Sequence, residues 1–170
     1  RKDMLQAQAT FTKVWGPTLI MDQIVFLFEL GGTWFFDMED KSELRYEGPG
    51  TFTSGNAFYS DSGVQPYTTT GGFADSFSWG YRLVTRLDFF NAIGPVTVMP
   101  LLAWYHDVEG TTPSPISNFI AGRKQMALAV RFDYLNFLKA SISYQMFMGA
   151  GQHNLIHDRD FLSISTSLAF

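Results

Sequence analysis

The sequence predicts an all-β fold, an antiparallel transmembrane β-barrel of which these residues form the C-terminal strands. Three observations predict it. Apolar and polar residues alternate with period two through most of the chain. The alternating segments are about the 9–11 residues that a tilted strand needs to cross a hydrocarbon layer. The connections between them are short and long by turns, as in barrels with periplasmic turns on one side and extracellular loops on the other.

The composition suits that class. Charged residues make up 16% of the 170 and aromatics another 16%, with 17 Phe. A soluble domain usually carries about a quarter charged residues. Mean hydropathy is nevertheless +0.00. The longest apolar run is Ile24-Val25-Phe26-Leu27-Phe28, far short of the roughly 20 residues of a spanning helix. With no cysteine, a disulfide scaffold, a thiolate metal site and a thiol nucleophile are excluded. A net charge of −4 with no basic stripe gives no case for nucleic acid.

The strands follow in order. Near the start, Gln6, Gln8, Thr10 and Thr12 oppose Leu5, Ala7, Ala9, Phe11 and Trp15. Residues 18–30 are more apolar, with Gln23 and Glu29 on one parity. In 76–89, Phe77, Trp79, Tyr81, Leu83, Leu87 and Phe89 oppose Ser76, Ser78, Gly80, Arg82, Val84, Arg86 and Asp88. Residues 95–106 alternate poorly and contain Pro100, which cannot donate to a ladder. In 122–134, Lys124, Met126, Leu128, Val130, Phe132 and Tyr134 oppose Arg123, Gln125, Ala127, Ala129, Arg131 and Asp133. Leu138, Ala140, Ile142, Tyr144, Met146 and Met148 then oppose Lys139, Ser141, Ser143, Gln145 and Phe147. Last, Leu162, Ile164, Thr166, Leu168 and Phe170 oppose Phe161, Ser163, Ser165, Ser167 and Ala169.

Short connections are expected at 16–17, 91–94 and 135–137, and long ones at 31–75, 107–121 and 149–160. Aromatics collect at both predicted strand ends, as in the girdles at membrane interfaces. Trp15, Phe89, Phe90, Tyr134, Phe137 and Phe170 fall at one end. Trp34, Phe35, Phe36, Phe77, Trp79, Trp104, Tyr105 and Phe147 fall at the other. Seven strands are odd where single-chain bacterial barrels are even, and an open edge leaves backbone groups unpaired in lipid. Further strands are therefore expected upstream of Arg1, with residues 1–170 the C-terminal part of one barrel domain.

Several stretches stand out beyond the alternation: His106-Asp107-Val108-Glu109-Gly110 through Pro113, Asn118-Phe119-Ile120-Ala121-Gly122-Arg123-Lys124, and Phe132-Asp133-Tyr134-Leu135-Asn136. Gly149-Ala150-Gly151-Gln152-His153-Asn154-Leu155, Asp158-Arg159-Asp160-Phe161 and Arg45-Tyr46-Glu47-Gly48-Pro49-Gly50-Thr51 belong with them. Together they resemble the C-terminal region of the DUF 1302 family of proteobacterial outer-membrane proteins. The resemblance implies a longer barrel of which this is roughly the last third. It implies proximity to efflux-type exporters and periplasmic lipid-carrier-like proteins, hence hydrophobic cargo. It supplies no catalytic residues. The final residues also resemble the outer-membrane insertion signal read by the barrel-assembly machinery, with Phe170 terminal and Leu168 two before it. Ser165 stands where that signal usually has glycine.

The residues expected to line a lumen are Glu29, Arg82, Arg86, Asp88, Arg123, Arg131, Asp133, Lys139 and Gln145. Charges of both signs on neighbouring strands form a ladder that shapes a pore, or pair and keep the interior hydrated. Arg on the lipid side at the midplane costs about 2–4 kcal/mol. His106-Asp107, His153 and His157-Asp158 have the residue types of a general base or a metal site. Adjacent strand residues point to opposite faces, and no Ser has a nucleophile context, so polar loop residues are the plainer reading. Neither catalytic residues nor a metal or cofactor is assigned.

The functional expectation is an outer-membrane channel or transporter passing a hydrophobic or amphipathic molecule, not an enzyme. The 31–75 loop is expected to constrict it, cap it or bind a partner. Expected partners are outer-membrane lipid and lipopolysaccharide, the assembly machinery, a periplasmic carrier and an inner-membrane exporter. The alternatives are a plugged barrel acting as a surface binding or structural protein, an outer-membrane hydrolase, and a soluble β-sandwich.

Overall fold

The computed structural model describes residues 2–51 and 71–169. Phe170 of the predicted insertion signal and residues 52–70 of the predicted long loop lie outside them. Seven strands follow one another: β1 (Met4–Trp15), β2 (Gln23–Phe35), β3 (Phe77–Ile93), β4 (Val96–Glu109), β5 (Lys124–Tyr134), β6 (Leu138–Met148) and β7 (Phe161–Leu168). Each pairs antiparallel with the next, so sheet order repeats chain order. The sheet is an open meander with β1 and β7 at its edges. Among the described residues the one helical element is a 3-10 turn, Gly151–His153.

Register partners share a face, and one face is mainly apolar across the sheet. The row Phe11, Phe28, Leu83, Trp104, Met126, Met146 crosses six strands. Beside it runs Lys13, Phe26, Thr85, Leu102, Leu128, Tyr144, Leu162. Leu102, Leu128 and Ile142 lie on inner strands yet are 43%, 46% and 42% exposed. No second layer covers this face among the described residues. Leu or Ile left in water forfeits about 1.5–3 kcal/mol of burial.

The opposite face is mixed. It carries every predicted lumen residue that falls within a strand, together with an apolar band of Val25, Leu27, Val84, Leu101, Ala103, Ala127 and Ala129.

The ends of several strands differ from the sequence reading. β2 begins at Gln23 and runs through Gly31 and Gly32 to Phe35, where a loop from residue 31 was expected. The first short connection is therefore 16–22, ordered by Thr18, whose hydroxyl accepts from the amides of Ile20 and Met21. β3 continues to Ile93, past the turn expected at 91. β4 accommodates Pro100 opposite Val130, and its pairing with β3 skips Met99 and Pro100, where proline has no amide to give. The tight turn 135–137 has Leu135 and Asn136 at φ 52° and 58°. That left-handed pair matches strand twist in a two-residue hairpin, and Asp133 caps it by accepting from the Asn136 amide at 2.8 Å.

The aromatic assignment needs correction too. Phe35, Tyr105 and Phe147 lie on the mixed face, so they cannot join a belt on the apolar one. Phe11, Phe26 and Phe28 put rings in mid-strand. Trp15, Phe89 and Tyr134 at the short-turn end, and Trp34, Phe77, Trp79 and Trp104 at the other, do share the apolar face. Trp34 and Phe77 stack at 4.7 Å.

Candidate functional site

Three connections, L1 (36–76), L2 (110–123) and L3 (149–160), bring their described residues together at one end of the sheet. Backbone amides stitch L1 to L2, with Ser114 donating to the Glu47 carbonyl at 2.8 Å and Asp75 to that of Thr111 at 2.8 Å. Within L1, the Ala74 amide donates to the Tyr46 carbonyl at 3.0 Å. His153 of L3 is packed against L1. Its Nδ1 lies 3.2 Å from the Pro49 carbonyl oxygen, and a side chain on Gly72 would collide with its ring. Phe73, Ala74, Thr111, Thr112, Ile120 and Asn154 are buried, so the described loops share a small core of their own.

L2 turns onto the mixed face of the sheet. Asp107 directs it: its Oδ2 accepts from the Ile120 amide at 3.0 Å and from Arg123 Nε at 2.6 Å. Arg123 Nη2 donates to the Asn118 carbonyl at 3.0 Å. Thr112 closes the loop from the other side, its amide donating to the Phe119 carbonyl at 2.9 Å and its hydroxyl lying 3.0 Å from that of Ser78. Phe119 is thereby laid on Gly31 and Gly80, which are register partners. A Cβ on Gly31 would stand 3.5 Å from the ring, an ordinary contact, and one on Gly80 3.1 Å from it and only 2.6 Å from the His106 carbonyl oxygen. The ring rests on this pair, and Gly80 is kept bare chiefly by the backbone of β4.

Beside Phe119 is a polar cavity of about 250 Å³, lined by Gln6, Gln8, Glu29, Arg82, Asp107 and Asn118 among others. Gln8 Nε2 donates to Glu29 at 2.6 Å, and Arg82 lies 3.6 Å from the same carboxylate. The Arg82 guanidinium also sits 5.5 Å over the Tyr105 ring. Charges are thus arranged in a cross-strand ladder at this level.

The other predicted lumen residues divide into two groups. Arg86 and Asp88 form a bidentate pair at 2.8 and 2.9 Å on one strand, with Asp88 buried. Asp133 and Lys139 pair across β5 and β6 at 3.5 Å. Arg131 lies in register with Met99 and Ser141, and Gln145 with Ala127 and Phe161. Arg123 is the exception, since it precedes β5 and is tied into L2 instead of projecting from a strand. A separate apolar hollow of about 400 Å³ lies on the opposite face among Ala7, Ala9, Gly32, Trp34 and Phe77.

The histidines stay in separate settings. His106 is on the apolar face, its Nδ1 3.4 Å from the Tyr81 hydroxyl. His157 Nδ1 lies 2.8 Å from the Asn154 carbonyl oxygen. Among the described residues no three His, Asp, Glu or Cys side chains gather as a metal site. Sequence reasoning missed Phe119, and weighed Asp107 only as a partner of His106, not as the anchor of L2. Nothing in the alternation marks them, and the available signal was the Gly31–Gly80 pair, which becomes meaningful once the register is known.

The whole chain, residues 1–170, matches the model of a family described as protein of unknown function (DUF1302). The chain belongs to this family. No curated protein and no solved structure matches it. For this DUF1302 chain, the arrangement of its own residues is therefore the source of any functional reading.

Proposed function

We propose that this DUF1302 chain is the C-terminal part of an outer-membrane β-barrel that passes a hydrophobic or amphipathic molecule across that membrane. The observation that carries the reading is the mainly apolar face running across all seven strands, which no other described residues cover. The largest apolar patch on a soluble monomer is about 300–600 Å², and lipid is the surrounding that removes the cost of a wider one. The mixed face then lines the lumen. Its ion pairs Glu29–Arg82 and Arg86–Asp88 lie on either side of the apolar row Leu27, Val84, Ala103, with Arg86 in register between Val25 and Leu101, and Asp133–Lys139 lies nearer the short turns. A wall with an apolar band between charged rows suits a molecule with an apolar body and a polar head better than it suits free ions. The periplasmic carrier, the exporter and the assembly machinery belong to the same reading, the last engaging the C-terminal strand through Leu168 and Phe170.

The test is reconstitution of the full-length protein in a planar bilayer, followed by uptake of a fluorescent amphiphile into proteoliposomes. Transport predicts current and uptake together. A second reading, the plugged barrel that displays its loops, is favoured by the packing of L1, L2 and L3 over one end. It predicts neither.

A further inference from the structure

We propose that Phe119 is the constriction residue of the passage, held in the lumen by L2. The assignment rests on the channel reading and names the residue that sets its width. A loop that served only as an outer cap would pack on other loops. L2 does so at Ser114, but its second half returns to the wall of the sheet and sets an aromatic ring on the side that carries the ion pairs.

Gly31 and Gly80 oppose each other in register, and the ring lies against both. A Cβ on Gly31 would make ordinary contact with it at 3.5 Å, whereas one on Gly80 would first strike the His106 carbonyl oxygen at 2.6 Å and the Asp107 Cα at 3.0 Å, then the ring at 3.1 Å. Gly80 thus lets β4 and the Phe119 ring close on β3 together. The ring is kept there by Asp107. One carboxylate oxygen takes the amide of Ile120, next to Phe119, and the Nε of Arg123, while the Asp107 backbone pairs with Gly122 and Arg123 at 2.9 Å each. Ser78 and Thr112 fasten the other side at 3.0 Å. Two anchors, one on β4 and one on β3, bracket the aromatic residue.

The ring borders the 250 Å³ cavity that holds Gln8, Glu29 and Arg82. A migrating amphiphile meets an apolar surface and a charged ladder at the same level. Its head exchanges hydrogen bonds with the ladder while its body passes the ring. Bulk at position 119 therefore decides cross-section, and the pairing at 29 and 82 decides which head groups are accepted.

The experiment uses the full-length protein, which in this part of the chain has no cysteine to interfere. A Ser78→Cys and Thr112→Cys pair introduced together reports where L2 lies, because the two hydroxyls are buried and adjacent. Oxidation should close a cross-link detectable by mass. Single-channel conductance is then compared for wild type, Phe119→Ala and Phe119→Leu. The assignment expects Phe119→Ala to raise conductance about twofold or more and to admit larger polymer excluders, while Phe119→Leu stays near wild type. Retained heat-modifiability certifies that each variant is folded. Current that is present but the same in all three overturns the assignment and leaves the channel reading standing. Absence of the cross-link overturns the placement of L2. No current from wild type or Phe119→Ala overturns the channel reading, and the role of Phe119 with it.

Discussion

Glu39 lies in L1 and is held by two donors, Lys2 Nζ at 2.7 Å and the Tyr46 hydroxyl at 2.7 Å. These lower its pKa from the ordinary 4.5 to about 2, the Lys2 hydrogen bond contributing most. The Lys2 ammonium is raised in turn by Glu39, and the Tyr46 hydroxyl likewise. For a depressed carboxyl the stabilisation is complete above 4.5 and is lost as pH falls through about 2. For the raised ammonium the stabilisation is present below its ordinary value of 10.5 and is lost at still higher pH. The tie between the start of the chain and L1 therefore holds across the neutral range. An NMR titration of the Glu39 carboxyl should give a midpoint well below 4.5, and Tyr46→Phe should move it part-way back. A midpoint near the ordinary value would mean that the three groups do not meet. A second residue-scale test concerns Gly110, whose φ is +76° and whose missing Cβ faces the backbone of Phe77. Gly110→Ala should destabilise the loop end by about 1–3 kcal/mol, seen as faster proteolysis within L2 while the strands stay protected.

At the scale of strands, the two faces make opposite demands. Leu128 is near the centre of β5 on the apolar face, and Gln145 is near the loop end of β6 on the mixed face. In a membrane barrel, Leu128→Arg costs about 2–4 kcal/mol, whereas Gln145→Arg is near neutral. Urea titrations of refolding into vesicles should separate the two. Equal and small effects would contradict the assignment of faces, since an exposed leucine on a soluble surface tolerates arginine. Strand faces were legible in the sequence because each predicted parity survives as a register row, from Phe11 through Met146. Strand ends were less so. Gly31-Gly32-Thr33 reads as a turn signal by composition, yet Gly32 lies in mid-strand under the Trp34 and Phe77 rings, which a Cβ would approach to 3.2 and 3.3 Å. A requirement set in part by a ring on the next strand leaves no local trace. Arg123 was assigned to a strand by parity alone, and its tie to Asp107 draws it into L2 instead.

At the scale of the whole molecule, the described residues form seven strands in simple succession with two open edges and an apolar face that no other described element covers. The proposed membrane barrel would satisfy both features, by pairing the edges and setting the face in lipid. Family membership covers the entire chain, while the site chemistry comes from the mixed face and L2. The charged pairs were legible because most strand charges, Lys13 and Lys124 apart, fell on one parity. The constriction was not, because a loop folding back across a sheet is decided by tertiary contacts that alternation does not encode.

The central claim is that the apolar face meets lipid in a closed barrel. The measurement that tests it most directly is heat-modifiability of the full-length protein in mild detergent, run on a denaturing gel with and without boiling. A barrel whose strands are hydrogen-bonded all round resists the detergent until heated, so the unboiled band should migrate apart from the boiled one. Identical migration, with the unboiled protein remaining in solution without detergent, would contradict the account.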